Sequence, residues 1–194
     1  VKVKQQSGFS LLELLVALFV VVIITSLVTL SVNSGGEDIE LDATVKSMAD
    51  VSSYALDEAQ LRGVDMGLLL EHVDKNGERI FRYSFLERTP QGWRAPETQS
   101  DIFSPREFPP TVEVALEMEN TLVELADVER LALASSSESS IEEAQPQVIF
   151  YSSGEASVGV IYLRLAQTGE LLWMIEWDLV GRFSLLRRGE TSEP

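Results

Sequence analysis

Within residues 8–24, GFSLLELLVALFVVVII, one carboxylate, Glu13, interrupts an otherwise apolar run. A charged side chain inside a bilayer-length segment costs about 2.5–3.5 kcal/mol on insertion scales, so such a charge is retained where it meets a partner. Few other residue types here could do chemistry. There is no cysteine, which removes thiolate nucleophiles, disulfides and thiolate metal sites, and the single histidine, His72, leaves little for imidazole ligation. Ser153, in Ser152-Ser153-Gly154, has only His72 as a possible base, and a lone histidine ending a strand reads as a solvated or core residue before it reads as half of a triad. Residues 74–78, DKNGE, offer oxygen ligands and a glycine without the loop spacing of an EF-hand, and read as a turn. The pairs Asp57–Glu58 and Glu142–Glu143 read as solvated faces rather than acid/base dyads. Trp173 and Trp177 fall on one face of a strand, as core or interface packing. No catalytic, metal or cofactor site is expected, and the chain reads as not an enzyme.

The elements that must position Glu13 follow from composition and pattern. The chain has 194 residues, with 15 Lys+Arg against 31 Asp+Glu and a formal charge of -16. That length suits one globular domain plus an appendage, and that charge argues against a nucleic-acid partner. Residues 9–32 carry Glu13 as their only charge. At about 1.5 Å per residue, a helix of that length spans roughly 36 Å, enough for a bilayer. A cleaved secretory signal would have a shorter apolar region ending in small residues at its cleavage site, and no such site follows near Val32. Lys2 and Lys4 precede the span, so the positive-inside bias predicts a cytoplasmic N-terminus, with the remainder outside the cytoplasm.

The tract KQQSGFSLLEL, residues 4–14, resembles a class III prepilin signal. The resemblance implies that a prepilin peptidase cuts between Gly8 and Phe9 on the cytoplasmic side and that Phe9 is then N-methylated. Cutting before the apolar segment leaves the helix in the mature protein as both anchor and assembly surface. It also implies that Glu13, the fifth mature residue, pairs with the freed N-terminal amine of a neighbouring subunit.

Beyond the span, Asn33-Ser34-Gly35-Gly36 predicts a break. An amphipathic helix over 37–62 is predicted next, its buried stripe formed by Leu41, Val45, Met48, Ser52, Ala55 and Ala59 at i+3 or i+4 spacing, with Gly63 as its stop. From residue 64 the period becomes that of strands: 67–73 and 79–86 about an Asn76-Gly77 turn, then 111–117, 147–152, 157–165, 171–177 and 183–186, in a mainly antiparallel sheet. Residues 121–124, TLVE, fit either a capping box opening a short helix or a strand. Residues 134–146 form an acidic, Ser-rich insertion expected to stay mobile.

The run YALDEAQLRG at 54–63, Gly92-Trp93-Arg94, residues 148–155 and Gly181-Arg182 resemble the H-type minor pseudopilins of type II secretion systems and their pilus relatives of the FimT/FimU kind. The resemblance implies an α+β, type IV pilin-like fold: a long N-terminal helix, membrane span plus amphipathic half, packed on an antiparallel β-sheet domain. The corresponding parts are a leader at 1–8, a transmembrane and assembly helix at 9–32 and a periplasmic domain at 33–194, β-rich over 64–186. The implied function is that of a minor pseudopilin at the tip of a periplasmic pseudopilus, anchored in the inner membrane. The implied partners are the prepilin peptidase, the I, J and K minor pseudopilins and the major pseudopilin. A minor type IV pilin initiating pili and a non-polymerising, membrane-anchored binding domain remain the alternatives.

Overall fold

The computed structural model describes residues 11–75, 77–96, 101–127 and 145–190. The chain forms two compact units, Val1–Glu40 and Leu41–Pro194. One helix, α1 (Leu11–Arg62), contributes to both. Its backbone is helical through Asn33-Ser34-Gly35-Gly36, where the sequence predicts a break. A helical glycine costs only about 1 kcal/mol relative to alanine, which two such positions do not turn into an interruption.

In the second unit the predicted stripe is the face α1 buries: Leu41, Val45, Met48, Ser52, Ala55 and Ala59 are all inside, while Asp50 and Asp57 lie exposed. The helix stops where expected. Gly63 takes a left-handed φ of 66°, and the Val64 N–H donates to Ala59 O at 3.1 Å. This Schellman closure satisfies a carbonyl that the helix end would otherwise orphan.

The chain then enters β1 (Met66–Lys75), which pairs antiparallel with β2 (Glu78–Thr89) from Met66↔Glu87 to Lys75↔Glu78. The connection is therefore Asn76-Gly77, of which Asn76 lies outside the described residues. β3 (Gly92–Arg94), a 3-10 turn (Asp101–Phe103), β4 (Arg106–Glu107), β5 (Val112–Met118), β6 (Thr121–Val123), β7 (Ala126–Asp127), β8 (Val148–Phe150), β9 (Gly159–Leu165), β10 (Leu171–Trp177) and β11 (Phe183–Arg187) follow. β6 makes residues 121–123 of the open stretch at 121–124 strand, with Glu124 just beyond it. Glu119 and Asn120, at φ 49° and 62°, make a two-residue turn that folds β6 back on β5. Residues 128–133, and most of the 134–146 insertion, lie outside the described residues.

The strands divide into two sheets, where the sequence predicts one. The first runs β3-β2-β1-β7, with β4 added to β2 and β8 to β1; the second runs β11-β10-β9-β5-β6. All pairs are antiparallel except β1 with β7. Alternation in a sequence reports which face a side chain takes, not which strand lies alongside, so a split sheet leaves no local mark. The inward faces contribute Met66, Leu68, Leu70, Tyr83 and Phe85 from the first sheet, and Val114, Leu116, Ile161, Leu163, Trp173, Ile175 and Trp177 from the second, to one core with the helix stripe.

Gly159 sits mid-row in the second sheet, paired with Met118 on one side and Trp177 on the other. A Cβ there would lie 2.8 Å from Glu117 O and 2.9 Å from the Trp177 ring, and would also meet Met118 Sδ. The indole is fixed by its N–H, which donates to Ser157 O at 2.5 Å. Gly159→Ala is expected to cost about 1–3 kcal/mol through overpacking, a fall in Tm of about 2–4 °C per kcal/mol for a chain of this size, read by thermal denaturation. An unchanged Tm would show that the row has slack.

Candidate assembly site and the buried charges

Glu13 lies in the first turn of the described part of α1 and is exposed. Gly8 and Phe9 lie outside the described residues. Around Glu13 the helix is apolar on every side: Leu11, Leu12, Leu14, Leu15, Leu18 and Phe19 are all exposed, and the pattern continues through Ile24. A helix that is hydrophobic all round belongs inside something, whether a protein core or lipid. The polar groups at the end of this stretch are satisfied locally. Thr25 Oγ1 donates to Val21 O at 2.7 Å and Ser26 Oγ to Val22 O at 2.9 Å, the back-bonding that lets hydroxyls sit in an apolar helix. Among the described residues no helix is long and apolar enough to cross a membrane; the expected span at 9–32 begins ahead of them.

The other residues weighed from sequence are kept apart or given ordinary roles. β1 and β8 run antiparallel with Met66 opposite Phe150, so His72 and Ser153 project toward opposite ends of β1. His72 instead sits edge-on to Phe81, at 6.1 Å between ring centroids. Asp74 and Glu78 flank the hairpin turn, and Lys75 there pairs with Glu107 at 3.0 Å. Glu58 lies 3.9 Å from Arg62, one helical turn away, while Glu142 and Glu143 lie outside the described residues. Trp173 and Trp177 are both buried.

Two buried carboxylates carry no sequence signal. Glu87, on the inward face of β2, is only 2% exposed; Arg62 at the end of α1 reaches it at 2.8 Å, with Arg94 of β3 at 3.6 Å. Glu71 of β1 accepts from Arg82 Nε at 2.6 Å across the strand pair. A third ion pair ties β11 to α1: Arg187 pairs with Asp42 and lies over the Trp173 ring, 4.8 Å from its centroid. Hydrogen bonds from Lys46 and then Arg187 hold the Asp42 carboxyl below the usual carboxylate range. Each of these carboxylates is occupied by a guanidinium, which suits them to positioning rather than proton transfer.

Comparison with known proteins bears on the same residues. A family described as "Prokaryotic N-terminal methylation motif" matches residues 3–29, a stretch that includes Gly8, Phe9 and Glu13. Over 192 residues the chain is 27% identical to type II secretion system protein H of Aeromonas hydrophila, covering 97% of this chain and 98% of that one. The chain is thus similar over nearly its whole length to a type II secretion system protein H. Solved minor pseudopilins share the fold: EpsH of Vibrio cholerae matches with a TM-score of 0.57 at 20% identity, over 80% of this chain and 99% of that one. The solution structure of E. coli GspH matches with a TM-score of 0.54 at 13% identity, over 80% and 94%. The α+β, pilin-like fold expected from the sequence is thus the observed one.

The buried pair at Glu87 makes a direct test of what locks the end of α1. Arg62→Gln leaves a buried carboxylate with only the more distant Arg94. The expected cost is about 1–3 kcal/mol, below the roughly 3–5 kcal/mol of a buried charge abandoned outright. Lys75→Gln, which breaks an exposed pair, should cost less than about 1 kcal/mol. Urea denaturation of both variants checks the order, and equal losses would remove the special role of Glu87.

Proposed function

We propose that this chain works as a minor pseudopilin of a type II secretion system, a structural subunit at the tip of a periplasmic pseudopilus that drives folded proteins across the outer membrane. The observation that carries the reading is Glu13, a lone carboxylate on a helix surface apolar on every side. It lies within a methylation-motif match on a chain similar from end to end to a type II secretion protein H. In this reading residues 9–32 anchor the chain in the inner membrane with its N-terminus cytoplasmic, and residues 33–194 stand in the periplasm. The prepilin peptidase cuts between Gly8 and Phe9, and Phe9 is N-methylated.

Cleavage makes the missing partner for Glu13. The freed α-amine of Phe9 has a reference pKa near ~8 and is cationic at neutral pH. On an adjacent subunit, displaced along the filament, it offsets the cost of holding the Glu13 carboxylate in an apolar setting. The neighbours in this reading are the I, J and K minor pseudopilins and the major pseudopilin. Pairing is directional: each subunit offers one carboxylate and one amine at different depths.

Mass spectrometry of the membrane-extracted protein should give a chain beginning at methylated Phe9, and a start near Ser34 would mark an ordinary signal peptide. Glu13→Ala should insert, be cut and be methylated, yet cross-link weakly to neighbouring pseudopilins and reduce exoprotein secretion while leaving pili intact. Wild-type cross-linking and secretion by Glu13→Ala would show that apolar packing alone assembles this subunit, and loss of pili instead of secretion would point to a pilus system.

A further inference from the structure

The β2–β3 hairpin holds a cavity of about 490 Å³, and among the described residues that line it none is acidic, in a chain with 31 acidic residues. Its charged member is Arg88, exposed and lying over Trp93 with the guanidinium carbon 5.8 Å from the ring centroid, within cation–π range. Arg62, Arg82, Arg94, Arg182, Arg187 and Arg188 each meet a carboxylate. Arg88 makes no ion pair among the described residues, although acidic side chains outnumber basic ones two to one. Arg79, Arg106 and Arg164 also lack one there, but none of them lines this cavity, and Arg164, which lies over Tyr162, donates to Gly169 O at 3.2 Å.

The hairpin holds the pair in place. Arg88 and Trp93 are register partners across β2 and β3. The Arg88 N–H donates to Asp65 O at 2.9 Å, and Thr89 Oγ1 donates to Gly92 O at 2.8 Å while accepting the Gln91 N–H at 3.3 Å. The Arg88 guanidinium makes no hydrogen bond among the described residues, which leaves open there its in-plane N–H fork, the edge that takes a carboxylate with two parallel hydrogen bonds. Pro90 and Ile149 provide apolar walls beside that fork.

We propose that the Arg88–Trp93 cavity is a docking site for a glutamate or aspartate side chain on an acidic segment of a partner protein. Charge complementarity at the site selects the occupant, since Arg88 is the charged member of the described lining and no described acidic side chain there competes for it. The choice of a partner protein rests on the chain's role as an assembly subunit.

The test uses the full chain in detergent micelles, labelled at the indole nitrogens, with the Trp93 signal assigned through its loss in Trp93→Phe. Titration with Ac-Gly-Glu-Ala-Glu-Gly-NH2 should shift that signal saturably, and the Gln-for-Glu peptide should not. Arg88→Gln should weaken binding about tenfold, the loss of one charge-assisted contact, and Arg88→Lys should recover part of it. The proposal is overturned by an equal response to the Gln peptide, by the same shift from sodium acetate at matched concentration, or by unchanged affinity in Arg88→Gln. It is also overturned by binding that emerges only when residues 134–143 are deleted, which would assign the cavity to the chain's own acidic segment. The titration reads this site alone, and secretion by Glu13→Ala reads the subunit role, so failure of one is distinguishable from failure of the other.

Discussion

One narrow face of α1, from Leu41 to Ala59, is the constraint that the second unit satisfies. It holds Val45, Met48, Ser52, Ala55 and Ala59, all with no surface exposed. Small side chains at 52, 55 and 59 share this face with the larger Val45 and Met48. Ser52 is buried with its hydroxyl without a hydrogen-bond partner among the described residues, at a cost of about 1–3 kcal/mol. Two sheets, each with an apolar inner row, supply the surface that covers the face.

Charge is arranged around that core rather than spread at random. A chain this acidic repels itself in its compact form, and its arginines are placed where they do most to counter that. Arg62 and Arg82 go to the two deeply buried carboxylates, and Arg187 joins the last strand to the helix at Asp42. The pair of Asp42 with Arg187 joins elements 145 residues apart and that of Arg62 with Glu87 joins the helix end to β2, so these two fix relative position as well as neutralising charge, while Glu71 with Arg82 reinforces the β1–β2 hairpin.

Legibility in the sequence followed locality. The stripe on α1, the stop at Gly63, the Asn76-Gly77 hairpin and the strand at Leu171–Trp177 depend on residues within a few positions of one another, and all stand close to where pattern puts them. Glu13 was legible because a carboxylate in an apolar run is anomalous without any partner in view. What was illegible is what the far chain decides. Nothing near Thr121 reveals that β6 folds back through left-handed Glu119 and Asn120 onto β5, and a weak capping signal competes with it on equal terms. Nor does anything near Glu87 show that Arg62 will find it. The division into two sheets belongs to the same class, since it depends on pairings such as β5 with β9 across more than forty residues.

The closure of α1 at Gly63 has a consequence for how the chain can change length. Only Val64 and Asp65 separate that cap from β1, a strand flanked by β2, β7 and β8. Adding or removing one residue there would turn β1 over, sending Met66, Leu68 and Leu70 outward and bringing Leu69 and Glu71 toward the helix. The junction is thus closed to insertions and deletions of odd length, whereas the turn at residues 166–169 between β9 and β10, exposed and at the end of a hairpin, can absorb them. Variation in length across natural or engineered versions of this chain should therefore collect at the hairpin tips and leave the helix-to-strand junction constant.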